Sequence, residues 1–170
     1  MQPVLFVDLD GVLVDLKQGV GQILKMDLQK LSRKEFEPIL DDYLKNLNTK
    51  QLVNFWATLP ETKNCKKLWD KVKDLQPLIL SACGHNEISC QGKKIWCKKH
   101  LGIDGDRVFC SKDAEEKQYY ASPKSILIDD FKKSIDEFTK RGGHGIHHTS
   151  LSKTLSRLRK VLHKMKINQK

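Results

Sequence analysis

Pro3, Val4, Leu5, Phe6 and Val7 form a run without a polar side chain, and Asp8, Leu9, Asp10 and Gly11 follow it directly. A short apolar run of this kind reads as a strand buried on both faces of a parallel sheet. Asp8 and Asp10 then stand at the strand's carboxyl end, the edge where open α/β sheets place their sites. With a side-chain period of two, the carboxylates point the same way and sit close together. Such a pair is costly unless positive charge meets it there.

Four further apolar runs, Pro77 to Ala82, Arg107 to Cys110, Ser125 to Asp129 and a weaker one from Gly143 to His147, are separated by helical patterns. That alternation predicts an α/β fold, a Rossmann-like parallel sheet with right-handed crossovers. The connection from Leu16 to Gln76 is too long for one crossover helix. It carries Phe36, Ile39, Leu40, Tyr43 and Leu44 at helical spacing, a Thr49 start leading to Leu52, Val53 and Trp56, and Leu68, Val72 and Leu75 after Thr62. Ser32 and Glu35 fit a capping box, with Pro38 inside the helix that follows. The expected organisation is a core of residues 1–15 and 77–170 with a small helical cap, 16–76, inserted after the first strand. A cap in that position roofs the carboxylates, so its aromatic residues Phe55 and Trp56 are candidates for selecting a substrate, with core packing as the alternative.

The formal charge of +10 is concentrated at one end of the chain. Lys153, Arg157, Arg159, Lys160, Lys164, Lys166 and Lys170 fall between Ser150 and Lys170 without an acidic residue. Leu151, Leu155, Leu158, Leu162 and Met165 recur there at helical spacing, which predicts a terminal helix packed on the sheet with a solvated basic side. The same face could dock nucleic acid, an acidic partner or a second subunit. Five cysteines, an odd number with no CxxC pair, argue against a disulfide framework or a zinc ribbon and for reduced, partly buried thiols. No apolar run approaches the roughly 18 residues of a membrane span, and the N-terminus lacks the pattern of a signal peptide. A soluble, cytoplasmic protein without a membrane partner is therefore expected. His144, His147 and His148 imitate a metal cluster, but on a strand His147 points away from the other two, and strand-end residues before a Thr149 helix cap are the simpler reading.

Asp8-Leu9-Asp10-Gly11-Val12 after a buried strand, Leu78-Ile79-Leu80-Ser81 and Ile126-Leu127-Ile128-Asp129-Asp130 together resemble the motifs of haloacid dehalogenase superfamily phosphohydrolases. The resemblance implies that Asp8 attacks phosphorus and becomes an aspartyl phosphate, and that Asp10 protonates the leaving oxygen and then activates water. It implies Mg²⁺ held by Asp8, the backbone carbonyl of Asp10, and Asp129 with Asp130, while Gly11 lets the backbone approach the phosphate and donate its N–H. Ser81 and a lysine would bind the phosphoryl oxygens. Lys124 precedes its strand and lies at the wrong edge. Lys112 emerges at the correct edge, and Lys117, in Lys117-x-x-Tyr120-Ala121, resembles the lysine of phage and bacterial nucleotidase-like members, so Lys117 is favoured with Lys112 as the alternative. Asp15 reads as a helix N-cap or cap hinge, and Asp41 with Asp42 as solvated carboxylates on a helix.

Within the superfamily the pattern is most similar to the 5'(3')-deoxyribonucleotidases, over roughly residues 3 to 149, including a helix from Lys94 to Gly102. The implied substrate is a small phosphorylated molecule, a (deoxy)nucleoside monophosphate. The alternative is a polynucleotide 3'-end phosphatase that holds its strand on the basic helix of 150–170. A non-catalytic nucleic-acid-binding module would leave Asp8, Asp10, Ser81, Lys117 and Asp129 unexplained.

Overall fold

The computed structural model describes residues 3–84 and 87–167. Its centre is a five-stranded parallel sheet of β1 (Val4–Val7), β2 (Leu78–Ala82), β3 (Val108–Ser111), β4 (Ser125–Asp129) and β5 (His144–His147), in the order β3-β2-β1-β4-β5. All five carboxyl ends therefore share one edge. Phe6 of β1 lies opposite Leu78 of β2 and Leu127 of β4. The order reverses between β1 and β4, and Asp8 and Asp129 flank that switch point, where a crevice opens in sheets of this kind.

Alternation along the strands divides the interior into two layers. Leu5, Val7, Ile79, Ile126 and Ile128 face one side, where Trp96, Cys97 and Leu101 of helix α5 (Glu87–Leu101) and Leu158 and Met165 of α7 (Leu151–Ile167) cover them. Phe6, Leu80 and Leu127 face the other side, against Ile135 and Phe138 of α6 (Lys132–Lys140), with Tyr120 packed against them.

The cap comprises α1 (Leu16–Leu24), α2 (Arg33–Leu44) and α3 (Thr49–Thr58). Asp15 starts α1, its Oδ1 accepting from the Gln18 N–H at 2.9 Å. The expected capping box of Ser32 and Glu35 opens α2, which runs on through Pro38. Asn48 rather than Thr49 caps α3, in a second capping box with Gln51. Two backbone bonds close the insertion: Asp15 N–H to Pro60 O at 2.9 Å and Thr62 N–H to Leu13 O at 2.8 Å. The cap thus returns to the core near Pro60, earlier than the expected residue 76. Helix α4 (Cys65–Val72) buries Cys65, Leu68, Trp69 and Val72 and packs beside α7 as part of the core.

The cap is anchored through α3. A Cβ at Gly92 of α5 would stand 2.5 Å from Trp56 Cβ and 2.6 Å from Val53 O, so the two helices meet almost backbone to backbone. Trp96 Nε1 adds a hydrogen bond to Leu59 O at 2.8 Å.

On α7, Leu158 and Met165 are buried and Leu151, Leu155 and Leu162 half-buried, while Lys153, Arg157, Arg159, Lys160 and Lys164 are exposed. Ser150 rather than Thr149 occupies its cap position, with Thr154 N–H bonded to Ser150 O at 3.0 Å. Residues 168–170 of the expected helix lie outside the described residues. Among the described residues no helix is long and apolar enough to cross a membrane.

Candidate active site

Strand β1 ends at Val7, and the chain then folds into a tight turn in which Leu9 O accepts from Leu13 and Val14 N–H, each at 2.8 Å. The period of two stops there, yet Asp8 and Asp10 line one cavity as expected, and the Asp10 charge helps to raise the Asp8 pKa. Each meets a different lysine, delivered from opposite faces of the sheet.

Lys117 comes from the side of Phe6 and Tyr120, on the 3-10 turn Glu116–Tyr120. Its Nζ lies 2.9 Å from Asp8 Oδ1 and 2.7 Å from Asp129 Oδ2. Burial alone would lower its pKa, but Asp8 and Asp129 outweigh that and hold it above the ordinary lysine range. Lys112, the alternative, is exposed, and its backbone N–H donates to Glu116 Oε2 at 2.8 Å, which ties down the turn that carries Lys117.

Burial pushes the Asp8 carboxyl up to about 7; Lys117 pulls it down, and Asp129, Asp10 and Asp130 raise it. Asp129 is fully buried, with Oδ1 accepting from Phe131 N–H at 2.7 Å. Asp130 stands at the cavity rim, its carboxyl pushed up to about 6 by desolvation and by Asp129.

From the opposite face comes Lys93, which the sequence reading missed. Its Nζ donates to Asp10 Oδ2 at 2.6 Å, Ser81 Oγ at 2.9 Å and Ala82 O at 2.7 Å, and lies 4.5 Å from the centre of the Trp56 ring. Burial opposes its charge, yet Asp10 foremost keeps the pKa raised. A signal did exist: Lys93, Trp96, Cys97 and Leu101 fall at i, i+3, i+4 and i+8 of α5, so the lysine continues the apolar stripe.

Gly11 performs a different task from the expected one. Its N–H donates to Val14 O at 2.9 Å rather than facing the cavity. A φ of +81° and a site where a Cβ would fall 2.2 Å from Asp130 Oδ2 account for the glycine. It makes room for the Asp130 carboxylate.

Carboxylate oxygens of Asp8, Asp129 and Asp130 lie within 4.8 Å of one another. Asp10 Oδ1 is buried without a hydrogen-bond partner, whereas Asp8 Oδ1 is met by the Lys117 ammonium at 2.9 Å. Three carboxylates sharing a single lysine, with Asp129 raising the pKa of both Asp8 and Asp130, form an all-oxygen donor set that fits a hard divalent cation such as Mg²⁺. The Asp10 carboxylate, turned to Lys93, stands apart from that group.

These residues floor a cavity of about 630 Å³ whose roof includes Leu16, Lys17, Arg33, Phe36, Leu40, Leu52 and Trp56, with Phe131 on the core side. Trp56 lines it, whereas Phe55, one residue away on α3 and so turned by about 100°, packs against Tyr43 and Trp56 in the interior. Phe55 therefore has no face toward a substrate. Ser81 is wholly buried behind Lys93, and Ser89 of α5 lines the cavity wall. Asp15 and the exposed Asp41 lie on the cap side of the opening. The three histidines each have a separate partner: His144 Nε2 with Pro123 O, His147 Nε2 with Asp130 O, and His148 Nδ1 with Thr154 Oγ1.

The parallel sheet, its strand order and the helical insertion after β1 define a haloacid dehalogenase-like α/β fold. No family model matches the sequence, and no curated protein sequence matches it. Similar solved structures are CbbY from Rhodobacter sphaeroides in complex with xylulose-1,5-bisphosphate (TM-score 0.53, 12% identity, 88% of this chain and 87% of that one) and a phosphoserine phosphatase in apo form (TM-score 0.53, 11% identity, 92% and 91%). A HAD hydrolase of family IA, variant 3, from Entamoeba histolytica is also similar (TM-score 0.50, 15% identity, 88% and 84%). At such identities the likeness establishes the fold, and the chemistry rests on the residues themselves.

Proposed function

We propose that this chain is a Mg²⁺-dependent phosphohydrolase that works through an aspartyl phosphate. The observation that carries the reading is the floor of the cavity: Asp8 with the Lys117 ammonium 2.9 Å from its Oδ1, and oxygens of Asp129 and Asp130 within 4.8 Å of its carboxylate. Asp8 attacks phosphorus as the bond to the leaving oxygen breaks, and Lys117 neutralises charge on the phosphoryl oxygens. Asp10 gives its proton to the leaving oxygen and later takes one from the attacking water. Its two oxygens suit that division, since Lys93 holds Oδ2 and leaves Oδ1 free for the proton. When bound, Mg²⁺ supplies positive charge between the carboxylates and the phosphate.

The substrate we favour is a (deoxy)nucleoside monophosphate. Trp56, Phe36 and Phe131, the last with the Arg33 guanidinium 3.9 Å from its ring centre, give the cavity planar surfaces suited to a base. A polynucleotide end is the second reading, favoured by a shallow groove lined by His147, Lys153, Arg157 and Lys160. That groove adjoins the cavity rim, because His147 Nε2 bonds Asp130 O at 2.9 Å.

The test compares phosphate release from p-nitrophenyl phosphate, deoxynucleoside monophosphates and a 3'-phosphorylated oligonucleotide, with Mg²⁺ and with EDTA. Fastest turnover of a monophosphate, lost in EDTA, supports the first reading. A preference for the oligonucleotide that fades steeply with salt supports the second. No release from any of the three refutes both.

A further inference from the structure

We propose a second metal site beside the catalytic one, made by the thiols of Cys83, Cys90 and Cys110 and taking a thiophilic cation of the zinc type. The sequence argues against a zinc ribbon because no CxxC pair is present, but the fold gathers three cysteines from three elements. Cys110 of β3 is in register with Ser81 of β2, so both side chains face α5. Cys83 lies two residues beyond Ser81 and extends the ladder, its N–H bonded to Ser111 O at 2.9 Å, so its side chain faces the same way. Cys90, in the first turn of α5, lies over them.

The three sulfur atoms lie within 4.8 Å of one another. Thiolates about 2.3 Å from a zinc ion stand just under about 4 Å apart, so a small inward shift closes the site. Three soft donors suit Zn²⁺ or Cu⁺ and discriminate against Mg²⁺, which the neighbouring carboxylates suit instead. Binding replaces the three thiol protons with the ion, leaving a zinc trithiolate with a net charge of −1. Lys93 sits against that charge, its Nζ bonded to the carbonyl of Ala82, the residue before Cys83. The fourth position of a tetrahedral ion is left to water or an added ligand. Cys83 also lines the catalytic cavity, so the ion would pin the end of β2 and the Cys83 wall of that cavity onto α5.

The experiment does not depend on phosphatase activity. Reduced protein is titrated with Zn²⁺ in the presence of excess Mg²⁺, and with Co²⁺ while thiolate-to-cobalt absorption is recorded. One tightly held Zn²⁺ per chain and a thiolate band are expected, both lost in Cys90→Ser and in Cys110→Ala and both kept in Cys65→Ala and Asp129→Asn. Circular dichroism verifies that each variant is folded. Half-exposed Cys90 can be replaced without opening the core, so the test survives misfolding of Cys110→Ala. Absence of the thiolate band, a band that persists in folded Cys90→Ser, or a cysteine pair that only oxidises to a disulfide would each overturn the proposal.

Discussion

The ammonium of Lys93 lies 2.6 Å from Asp10 Oδ2, with only 3% of the lysine side chain exposed. This ion pair orients the proposed acid/base residue, and its bond to Ser81 Oγ fixes that hydroxyl as an acceptor from lysine. Replacing Lys93 with Met should lower kcat by about a hundredfold, the scale of general acid–base catalysis, with a smaller change in KM. Lys93→Arg should recover part of the loss. Steady-state kinetics on p-nitrophenyl phosphate checks both, and equal falls in the two variants would point to packing alone.

Lys117 joins Asp8 and Asp129 in a nearly water-free cluster. Lys117→Met leaves buried carboxylates without a partner and should cost about 3–5 kcal/mol of stability in metal-free protein. Mg²⁺ should return part of that loss. Urea denaturation with Mg²⁺ and with EDTA measures both terms.

The Asp8 carboxyl, raised from 3.8 to about 7 in the fold, makes stability depend on pH. Between these values the folded protein holds a proton that the unfolded chain has lost, so in EDTA this contribution falls as pH rises through the window. Mg²⁺ competes with that proton. Its stabilising effect should therefore grow as pH rises toward and past 7, a trend that thermal unfolding at a series of pH values would reveal.

Gly11→Ala places a Cβ 2.2 Å from Asp130 Oδ2 at a φ of +81°. The substitution should cost about 1–3 kcal/mol and weaken Mg²⁺ binding, since Asp130 must move. Isothermal titration with Mg²⁺ alone tests the second effect without a substrate.

Much of this arrangement is legible in the sequence, because strands buried on both faces announce themselves. Pro3 to Val7 and Ser125 to Asp129 place Asp8 and Asp129 at one edge, the start of β4 directly after Lys124 puts that lysine at the opposite edge, and Lys117 stands out through the resemblance of its motif. What escapes depends on tertiary contact. Lys93 reads as one more solvated lysine unless its place on the α5 stripe is weighed against Trp96 and Cys97. Phe55 and Trp56 are equal in sequence, and only the approach of Gly92 to α3 decides which of them reaches the cavity. The cap's return is set by Thr62 bonding to Leu13, a contact that no local pattern encodes. Likewise, Cys83, Cys90 and Cys110 carry no metal-like spacing and meet only through the register of β2 with β3 and the placement of α5.

The central claim is that Asp8 becomes covalently phosphorylated. Protein mixed with Mg²⁺ and p-nitrophenyl phosphate carrying a radiolabelled phosphoryl group, then quenched in acid, gives the most direct test. Wild type should release phosphate and retain protein-bound label, while folded Asp8→Asn should retain none and turn over roughly a thousandfold or more slowly. Equal phosphate release by wild type and Asp8→Asn, or label on both, would contradict the account.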